Sequence, residues 1–270
     1  MSPGPMASLG ARHAEVKRLR ALLREPEARA AEHAFVLEGP RLVDDALRRG
    51  VTLSALFLGP SASTAFAPLV ARTDEAGIPR YLLKEGVLEK VGTTRTPQPV
   101  LAVAPMPDPS AVAGIESGFP FVVTAGTSEP GNLGTLLRSA EAAGCSGVVC
   151  CGGVDPYNPK VVRASAGAIF GVPVVERELD EAIDALRASG CRVLGTAAEA
   201  EGARPYGELD LARSVAFVLG NEAHGLPDEI AGTLDETIRI PMSGEMESLN
   251  VAVAGSILLF ESARQRTARG

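Results

Sequence analysis

With 270 residues the chain is long enough for two domains, although one large α/β domain would fit the same length. Hydrophobic residues make up 46% of the chain and charged residues 22%, which is close to the average for globular proteins. No apolar run is long enough to cross a bilayer, and no secretory signal is apparent before the first helix. We therefore expect a cytoplasmic protein without membrane contact. The net charge of −7 argues against a surface that is basic throughout.

The first predicted helix holds much of the positive charge. Residues 1–100 contain 14 Lys and Arg against 11 Asp and Glu, whereas residues 101–270 contain 12 against 22. Five basic residues crowd into this helix: Arg12, Lys17, Arg18, Arg20 and Arg24. From the charges alone, contact with RNA phosphates and an ordinary solvated helix face are equally good interpretations. The candidate RNA-binding residues of the whole chain are Arg18, Arg20, Arg41 and Arg163.

A small α/β unit is predicted for the first hundred residues. Residues 35–39 form a buried strand, Pro40 opens a helix, and strands near residues 57 and 80 flank a helix over 64–75. A last strand, VLAVA, lies among five prolines from residue 97 to 109, which indicate a linker. We expect an N-terminal domain with its linker at residues 1–108, ending near Asp108, and a second domain at 119–270.

Strands and helices alternate in the predicted second domain. Its strands are FPFVVTAG, GVVCCGG, GVPVV, CRVLGT and SVAFVLG, and its last helix runs from Ser248 to about Arg266. This alternation is typical of a mostly parallel sheet with helices on both faces. Because the chain has no G-x-G-x-x-G, Walker or G-x-S-x-G sequence, the pattern argues against a nicotinamide-dependent oxidoreductase, a nucleotide hydrolase and a serine hydrolase.

The four cysteines are spaced unlike metal ligands. They form no C-x-x-C pair and have no spaced histidine partners: Cys145, Cys150, Cys151 and Cys191. We therefore expect neither a zinc site nor a disulfide framework, and interpret them as reduced thiols on apolar strands.

Three segments of the second domain place polar residues where predicted strands end or helices begin. The first, TSEPGNLGTLLRSAEAAGCSGVV (127–149), passes through a Pro-Gly turn into a helix. If Asn132 caps this helix, it can approach Arg138 from the helix end. A plain helix cap and a solvated arginine are the alternatives.

The other two segments lie towards the C-terminus. VLGNEAHGL (218–226) is the end of a buried strand followed by glycines, which would allow a ligand to approach the backbone closely. Ligands of open α/β sheets bind in a crevice at such strand ends. Glu222 would lie at the mouth of this crevice or, alternatively, would be an exposed acid in a plain turn. IPMSGEMESLNVAVAGSILLFE (240–261) leads into an apolar helix that Ser248 can cap. The amide of Asn250 then needs a partner, which a ligand, a neighbouring loop or the backbone can supply.

Together the three segments resemble the motifs of the SpoU family of RNA methyltransferases, within the SPOUT superfamily. The matching positions are Asn132, Gly134 and Arg138 in the first motif, Gly220, Asn221, Glu222, Gly225 and Leu226 in the second, and Ile240, Pro241, Met242, Ser248, Leu249 and Asn250 in the third. The match covers about residues 119–266. FVLEGPRLVDDAL resembles the family's N-terminal substrate-binding domain, which is similar to ribosomal protein L30e.

The resemblance implies a fold and a ligand that periodicity alone does not predict. The fold is a parallel sheet whose C-terminal segment threads a loop to form a deep trefoil knot, a rare exception to ordinary topology. The methyl donor is S-adenosylmethionine, without a metal, and the protein is a homodimer with active sites at the subunit interface. The donor is bound by the backbone near Thr196, Gly220, Ile240, Met242 and Leu249.

The resemblance also implies transfer of the methyl group to a ribose 2′-hydroxyl. Arg138 would act at this hydroxyl, with Asn132 holding it in place. Because a guanidinium stays protonated at neutral pH, a neighbouring group or an RNA phosphate would have to assist it as a base. Glu222 would orient Arg138 or the ribose, and Ser248 and Asn250 would position the ribose, a phosphate or the first-motif loop.

Ribosomal RNA, specifically 23S rRNA, is the favoured substrate because the N-terminal domain resembles one linked to large ribosomal RNA. A transfer RNA substrate and a non-catalytic RNA-binding module are the alternatives. The acidic balance of the second domain implies that the first domain or a dimer partner supplies most of the positive field that RNA requires.

Overall fold

The computed structural model describes residues 6–94, 96–107, 119–197, 202–221 and 224–269. The chain divides into two compact units, one of Met1–Met106 with Tyr157–Arg163 and one of Pro107–Pro156 with Ala164–Gly270. Tyr157–Arg163 therefore group with the first unit, although they lie within the predicted second domain along the chain. The predicted boundary at Asp108 lies outside the described residues.

The described part of the first unit contains one mixed five-stranded sheet. Its strands are β1 Ala7–Leu9, β2 Ala34–Glu38, β3 Ala55–Leu58, β4 Arg80–Leu83 and β5 Val100–Pro105. Their spatial order is β1-β4-β3-β5-β2. Strands β1, β4 and β3 are parallel, whereas β5 is antiparallel to both β3 and β2.

Helices pack around this sheet. They are α1 Ala14–Arg24, α2 Pro26–Glu32, α3 Pro40–Arg48, α4 Ala62–Ala65, α5 Ala67–Glu75 and α6 Leu88–Val91. The single helix predicted over 64–75 is wrong, because it is broken at Phe66. Pro68 lies in the first turn of α5, where its missing N–H costs nothing, whereas in one continuous helix the carbonyl of Thr64, four residues earlier, would lack its N–H partner.

The second unit is built on a seven-stranded sheet in which every pairing of the described strands is parallel. The strands are β6 Phe121–Ala125, β7 Gly147–Cys151, β8 Val174–Glu176, β9 Arg192–Thr196, β10 Arg204–Pro205, β11 Val215–Leu219 and β12 Glu236–Arg239. The α-helices that lie between and after them along the chain are α7 Pro130–Ala142, α8 Pro159–Ala164, α9 Leu179–Ala188 and α10 Val251–Thr267. Of these, α8 groups with the first unit except for Ala164. Short 3-10 helices lie at Ala168–Phe170, Tyr206–Glu208 and Asp228–Thr233.

Helices cover both faces of this sheet, which confirms the predicted fold class. On one face, Ile183 and Leu186 of α9 pack with alternate strand residues such as Val123 and Val193. Side chains alternate between the two faces along a strand. Leu219 therefore points to the opposite face, where it lies against α10.

The strand order places a topological switch point near the middle of the sheet. The spatial order is β10-β12-β9-β11-β6-β7-β8, so β7 and β8 lie on one side of β6, and β9 to β12 lie on the other side with β11 next to β6. Ligands of open parallel sheets bind at the carboxyl ends of strands beside such a point. The threading of the C-terminal segment into a knot stays a prediction.

The four cysteines are free thiols in this fold. Burial raises the pKa of Cys145, of Cys150 and of Cys151 to about 12 each, so these thiols stay protonated at neutral pH. In the part of the chain that the structure describes, no helix is both long enough and apolar enough to span a bilayer.

Candidate active site

Helix α7 begins at Pro130, two residues before the predicted position. Glu129 precedes it in extended backbone, and Pro130 suits the first turn because its φ is already helical and its missing N–H is not needed there. Asn132 therefore lies inside the helix and does not cap it. The expected approach of Asn132 to Arg138 from the helix end is wrong, since residues six apart project about 120° from one another around the axis.

The amide of Asn250 joins α10 to α7. Its Oδ1 caps α10 by accepting hydrogen bonds from the N–H groups of Ala252 (2.9 Å) and Val253 (3.3 Å). Its Nδ2 donates to Oδ1 of Asn132 at 2.8 Å. The predicted cap Ser248 lies instead in the exposed segment before the helix. Because the cap uses the oxygen of Asn250, only its nitrogen can face Asn132, and this sets the orientation of both amides.

Helices α7 and α10 run alongside each other from this bond onward. A second hydrogen bond joins the hydroxyls of Ser139 and Ser256 (2.6 Å), about two turns further along both helices. Gly255 lies at the contact, where a Cβ atom would stand 2.5 Å from Leu136 and 2.8 Å from Leu219. Only glycine allows α10 to approach α7 and β11 this closely.

Arg138 lies on the exposed side of α7. It makes no hydrogen bond or ion pair with any other described residue. The motif glycine, Gly134, is buried in the same helix, where a Cβ atom would stand 2.3 Å from that of Ala164. The glycine thus allows close packing of α7, while the guanidinium of Arg138 keeps its five N–H donors available for an anion or a hydroxyl.

The carboxyl ends of β9, β11 and β12 meet at one edge of the sheet. Val218 of β11 pairs with Gly195, and Ile238 of β12 pairs with Thr196. The next residues along these parallel strands, including the candidate donor-binding residues Thr196, Gly220 and Ile240, therefore come out side by side at this edge. Met242 and Leu249, the other two candidates, lie on the segment that leads from β12 to α10.

A tight turn follows β11 at this edge. Asn221 and Gly225 exchange two backbone hydrogen bonds of 2.9 Å each, and Gly225 has a φ of +70°. A Cβ atom on Gly220 would stand 2.3 Å from the carbonyl carbon of Gly225. Two of the motif glycines are thus explained by backbone conformation and close approach.

Asn221 belongs to the second motif, but its role was not evident from the sequence. In the structure, its Nδ2 donates to the carbonyl of Gly126 (2.6 Å), the residue after β6. Its Oδ1 accepts from the N–H of His224 (3.3 Å). Asn221 therefore ties the turn after β11 to the end of the neighbouring strand. An amide placed directly after a strand-ending glycine was the available signal. Glu222, the next residue, lies outside the described residues.

The edge of the sheet offers apolar side chains and backbone groups, which fit the expected methyl donor. Ile240 and Leu249 are half-buried and Met242 is 37% exposed, so all three present apolar surface that an adenine ring can cover. Among the residues with described positions, no group of three or more His, Cys, Asp or Glu side chains is arranged to hold a metal ion.

The four candidate RNA-binding arginines have different surroundings. Arg18 is paired with Glu15 (3.4 Å) and Glu32 (2.6 Å). Arg20 and Arg41 are exposed and form no ion pair with a described carboxylate. A pre-existing pair must be broken before a phosphate can be bound, so this geometry favours Arg20 and Arg41 over Arg18.

Arg163 forms an ion pair with a buried carboxylate of the first unit. It contacts Glu38 at 2.7 Å, and the Glu38 side chain is 1% exposed. The hydroxyl of Thr93 donates to the other oxygen of Glu38 (2.8 Å) and accepts from Arg163 (2.9 Å). Two residues of β2 thus hold Tyr157–Arg163, since Phe35 also packs its ring 5.0 Å from that of Tyr157. Arg163 therefore has a structural partner, and its expected RNA contact stays a prediction.

Two protein-family models match separate parts of the chain. Residues 120–260 match the model of the SpoU rRNA Methylase family, and residues 13–102 match that of the MRM3-like substrate binding domain. The chain is 34% identical over 239 residues to the 23S rRNA (guanosine(2553)-2′-O)-methyltransferase RlmP of Bacillus subtilis (strain 168), covering 88% of this chain and 92% of that protein.

Two further relatives extend this likeness. The 23S rRNA (uridine(2479)-2′-O)-methyltransferase of Streptomyces viridochromogenes is 30% identical, with 94% of this chain and 91% of that protein covered. The crystal structure of an AdoMet-bound rRNA methyltransferase from Sinorhizobium meliloti superposes with a TM-score of 0.83 at 31% identity, over 96% of this chain and 98% of that one.

Proposed function

The chain belongs to the SpoU rRNA methylase family, and we propose that it transfers a methyl group from S-adenosylmethionine to a ribose 2′-hydroxyl of 23S ribosomal RNA. The observation that carries this proposal is the hydrogen bond between Asn132 and Asn250. It ties the helix that presents Arg138 to the end of the segment that carries Met242 and Leu249. The names of the two curated relatives support the RNA class, and a ribosomal substrate agrees with the cytoplasmic location expected from the sequence.

When bound, S-adenosylmethionine supplies a methyl carbon that is bonded to a positively charged sulfur. The ribose oxygen would attack this carbon in line with the C–S bond, which breaks as the C–O bond forms. The protein has to align the hydroxyl and assist the loss of its proton. Arg138 would bind at the hydroxyl or an adjacent phosphate, where its charge stabilises the developing negative charge on oxygen. Because arginine is protonated at neutral pH, the proton itself passes to a neighbouring group or to an RNA phosphate.

The remaining residues bind and orient. Apolar contacts from Ile240, Met242 and Leu249, with backbone groups near Thr196 and Gly220, would hold the donor at the strand ends. Asn250 would act as a positioning residue, because its amide holds the side chain of Asn132. Glu222 and Ser248 would orient the ribose or a phosphate.

We expect Asn250→Asp to lower kcat for RNA methylation about 10- to 100-fold, the effect of a small misplacement in an active site. Aspartate caps a helix as well as asparagine does, so the unfolding temperature should change little. Both oxygens of aspartate accept hydrogen bonds, however, and neither can donate to Oδ1 of Asn132. Single-turnover kinetics with saturating donor, together with a thermal melt, would separate the two functions of Asn250.

Ser256→Ala is the matched control for this variant. It removes the hydrogen bond to Ser139, which joins the same two helices, but leaves Asn132 and Asn250 in place. Its kcat should stay within about twofold of the unmodified protein. Equal losses in Ser256→Ala and Asn250→Asp would mean that general contact between α7 and α10 matters, and the positioning role of Asn250 would be wrong.

A homodimer is also part of the proposal, and the outer face of α10 is its expected interface. Val253 and Phe260 are 46% and 50% exposed, and Ile257 lies between them at helical spacing. A helix that is apolar all round is normally buried, so this face suits a second copy of the chain. The active-site residue Asn250 lies at the start of the same helix, as expected for a site near a subunit interface.

Phe260→Asp should convert the dimer into a monomer, because a carboxylate at the centre of an apolar interface would lose its hydration. Light scattering coupled to size-exclusion chromatography measures the mass directly. Arg264→Gln, one turn further along α10 and 67% exposed in its side chain, is the control and should remain dimeric. A wild-type protein that is monomeric at all concentrations would rule out the dimer.

The reaction itself is tested by incorporation of labelled methyl from S-adenosylmethionine. Unmodified 23S rRNA and transfer RNA would be assayed in parallel, followed by nucleoside mass spectrometry. A 2′-O-methyl nucleoside in the 23S rRNA alone is the expected result. Methylation of transfer RNA alone would overturn the substrate class, and absence of donor binding in calorimetry would leave the non-catalytic RNA-binding module as the function.

A further inference from the structure

We infer that four basic side chains of the first unit bind the sugar-phosphate backbone of the substrate RNA. These residues, called the basic stripe, are Lys17, Arg20 and Arg24 of α1 and Lys90 of α6. The inference rests on the proposed RNA substrate and adds the surface by which the first unit holds it. It replaces the expected contribution of Arg18.

Helical geometry aligns the three residues of α1. Lys17, Arg20 and Arg24 are spaced i, i+3 and i+7, so they project from one side of the helix over about 10 Å of its length. All three are exposed. The apolar residues Val16, Leu19 and Leu23 have the same spacing and are buried in the core of the unit. The packing of α1 therefore fixes which side faces solvent, and that side is basic.

Lys90 extends the stripe at the C-terminal end of α1. Nη2 of Arg24 donates a hydrogen bond to the carbonyl of Lys90 at 3.2 Å, which brings the last turn of α6 beside that of α1. The side chain of Lys90 is exposed there. Exposed acidic residues also lie at this end of the stripe: Glu89, beside Lys90 on α6, and Glu25, directly after Arg24.

The members of the basic stripe differ from five other arginines of the first unit in having no carboxylate partner. Arg18, Arg48, Arg49, Arg72 and Arg80 all form ion pairs with Asp or Glu. No stripe residue pairs with a carboxylate among the residues that have described positions. In a chain of net charge −7, such a concentration of uncompensated cations matches the phosphates of RNA in sign.

The stripe suits the backbone of RNA and not its bases. Recognition of unpaired bases uses aromatic rings or flat stacking surfaces, and neither AEVKRLRALLR of α1 nor LEKV of α6 contains an aromatic residue. Lysine and arginine at phosphates orient the RNA without reading its sequence. The basic stripe should therefore add affinity that is independent of sequence and sensitive to salt.

The test compares two triple variants of the full chain that remove the same charge. The stripe variant carries Lys17→Gln, Arg20→Gln and Arg24→Gln; the control carries Arg48→Gln, Arg49→Gln and Arg72→Gln, which removes three paired arginines. Binding of a fluorescein-labelled 20-nucleotide polyuridine is measured by anisotropy from 50 to 300 mM KCl. Each lost phosphate contact on single-stranded RNA should reduce the slope of log K against log [salt] by about 0.7.

We expect the magnitude of the slope of log K against log [salt] to fall by about 2 in the stripe variant and to stay almost unchanged in the control variant. Adding Lys90→Gln should remove about 0.7 more. The stripe variant should also raise KM for 23S rRNA at least tenfold while kcat at saturating RNA and the Kd for S-adenosylmethionine stay unchanged.

Equal slopes in the two variants, or an unchanged slope in the stripe variant, would overturn the inference even if methylation of 23S rRNA is observed. Conversely, the expected reduction of the slope in the stripe variant, combined with no methylation of RNA by the unmodified protein, would support RNA binding by the basic stripe and contradict the proposed function. Thermal melts of both variants establish that the comparison concerns folded protein.

Discussion

Replacement of Arg138 by alanine should lower kcat for 2′-O-methylation by about 10²- to 10⁴-fold, the range typical for loss of a group that acts on proton transfer. The affinity for S-adenosylmethionine, measured by calorimetry, should not change, because the proposed donor-binding residues lie at the strand ends and on the segment before α10, and not on α7. Arg138 is exposed and has no partner among the described residues, so its loss should leave the stability within about 0.5 kcal/mol.

Arg138→Lys is the informative companion variant. It keeps the positive charge but not the planar pair of N–H donors. Partial recovery of kcat would indicate that charge at the reacting oxygen is the main contribution, whereas a loss as large as in Arg138→Ala would indicate that the fork geometry is needed. Full turnover in Arg138→Ala would exclude Arg138 from the chemistry.

Arg163→Ala should destabilise the first unit by about 3–5 kcal/mol, the cost of leaving a buried charge without its partner. The Glu38 side chain is 1% exposed and would keep only the hydroxyl of Thr93. Because the hydroxyl carries no charge, it cannot compensate the carboxylate. Urea denaturation followed by circular dichroism would detect the change as an earlier transition of this unit.

Two variants separate this effect from the mere loss of an arginine. Arg187→Ala breaks an ion pair with Asp235 in which both side chains are more than a third exposed, and should cost less than about 1 kcal/mol. Adding Glu38→Gln to Arg163→Ala removes the buried charge and should restore much of the lost stability. If Arg163→Ala weakened RNA binding without lowering stability, the structural assignment of Arg163 would be wrong.

Much of the fold follows from local pattern in the sequence. The apolar runs that become β6, β9 and β11 were predicted because fully buried parallel strands are continuous hydrophobic stretches. Gly220 and Gly225 were expected to let a ligand approach the backbone; in the structure Gly220 lies against the backbone of Gly225, and Gly225 has a positive φ, so the approach of a ligand stays a prediction. The family was also recognisable, since its three motifs are short segments with characteristic spacing.

The orientation of side chains in the site was decided by tertiary structure. Ser248 and Asn250 are both good caps by residue type, and only the packing of α10 against α7 determines that Asn250 takes the position and holds Asn132. The start of α7 at Pro130 similarly moved Asn132 into the helix, away from Arg138.

The ion-pair partners of the arginines were also determined by the tertiary structure. Arg18 and Arg20 are indistinguishable in the sequence of α1, yet Arg18 pairs with Glu32, 14 residues away, and Arg163 pairs with Glu38, 125 residues away. The sequence by itself determined the elements, the motifs and the family, because these depend on neighbouring residues and short spacings. Only the tertiary structure determined which described cations pair with a carboxylate and which do not, because an ion pair depends on distance in space between residues far apart in the chain.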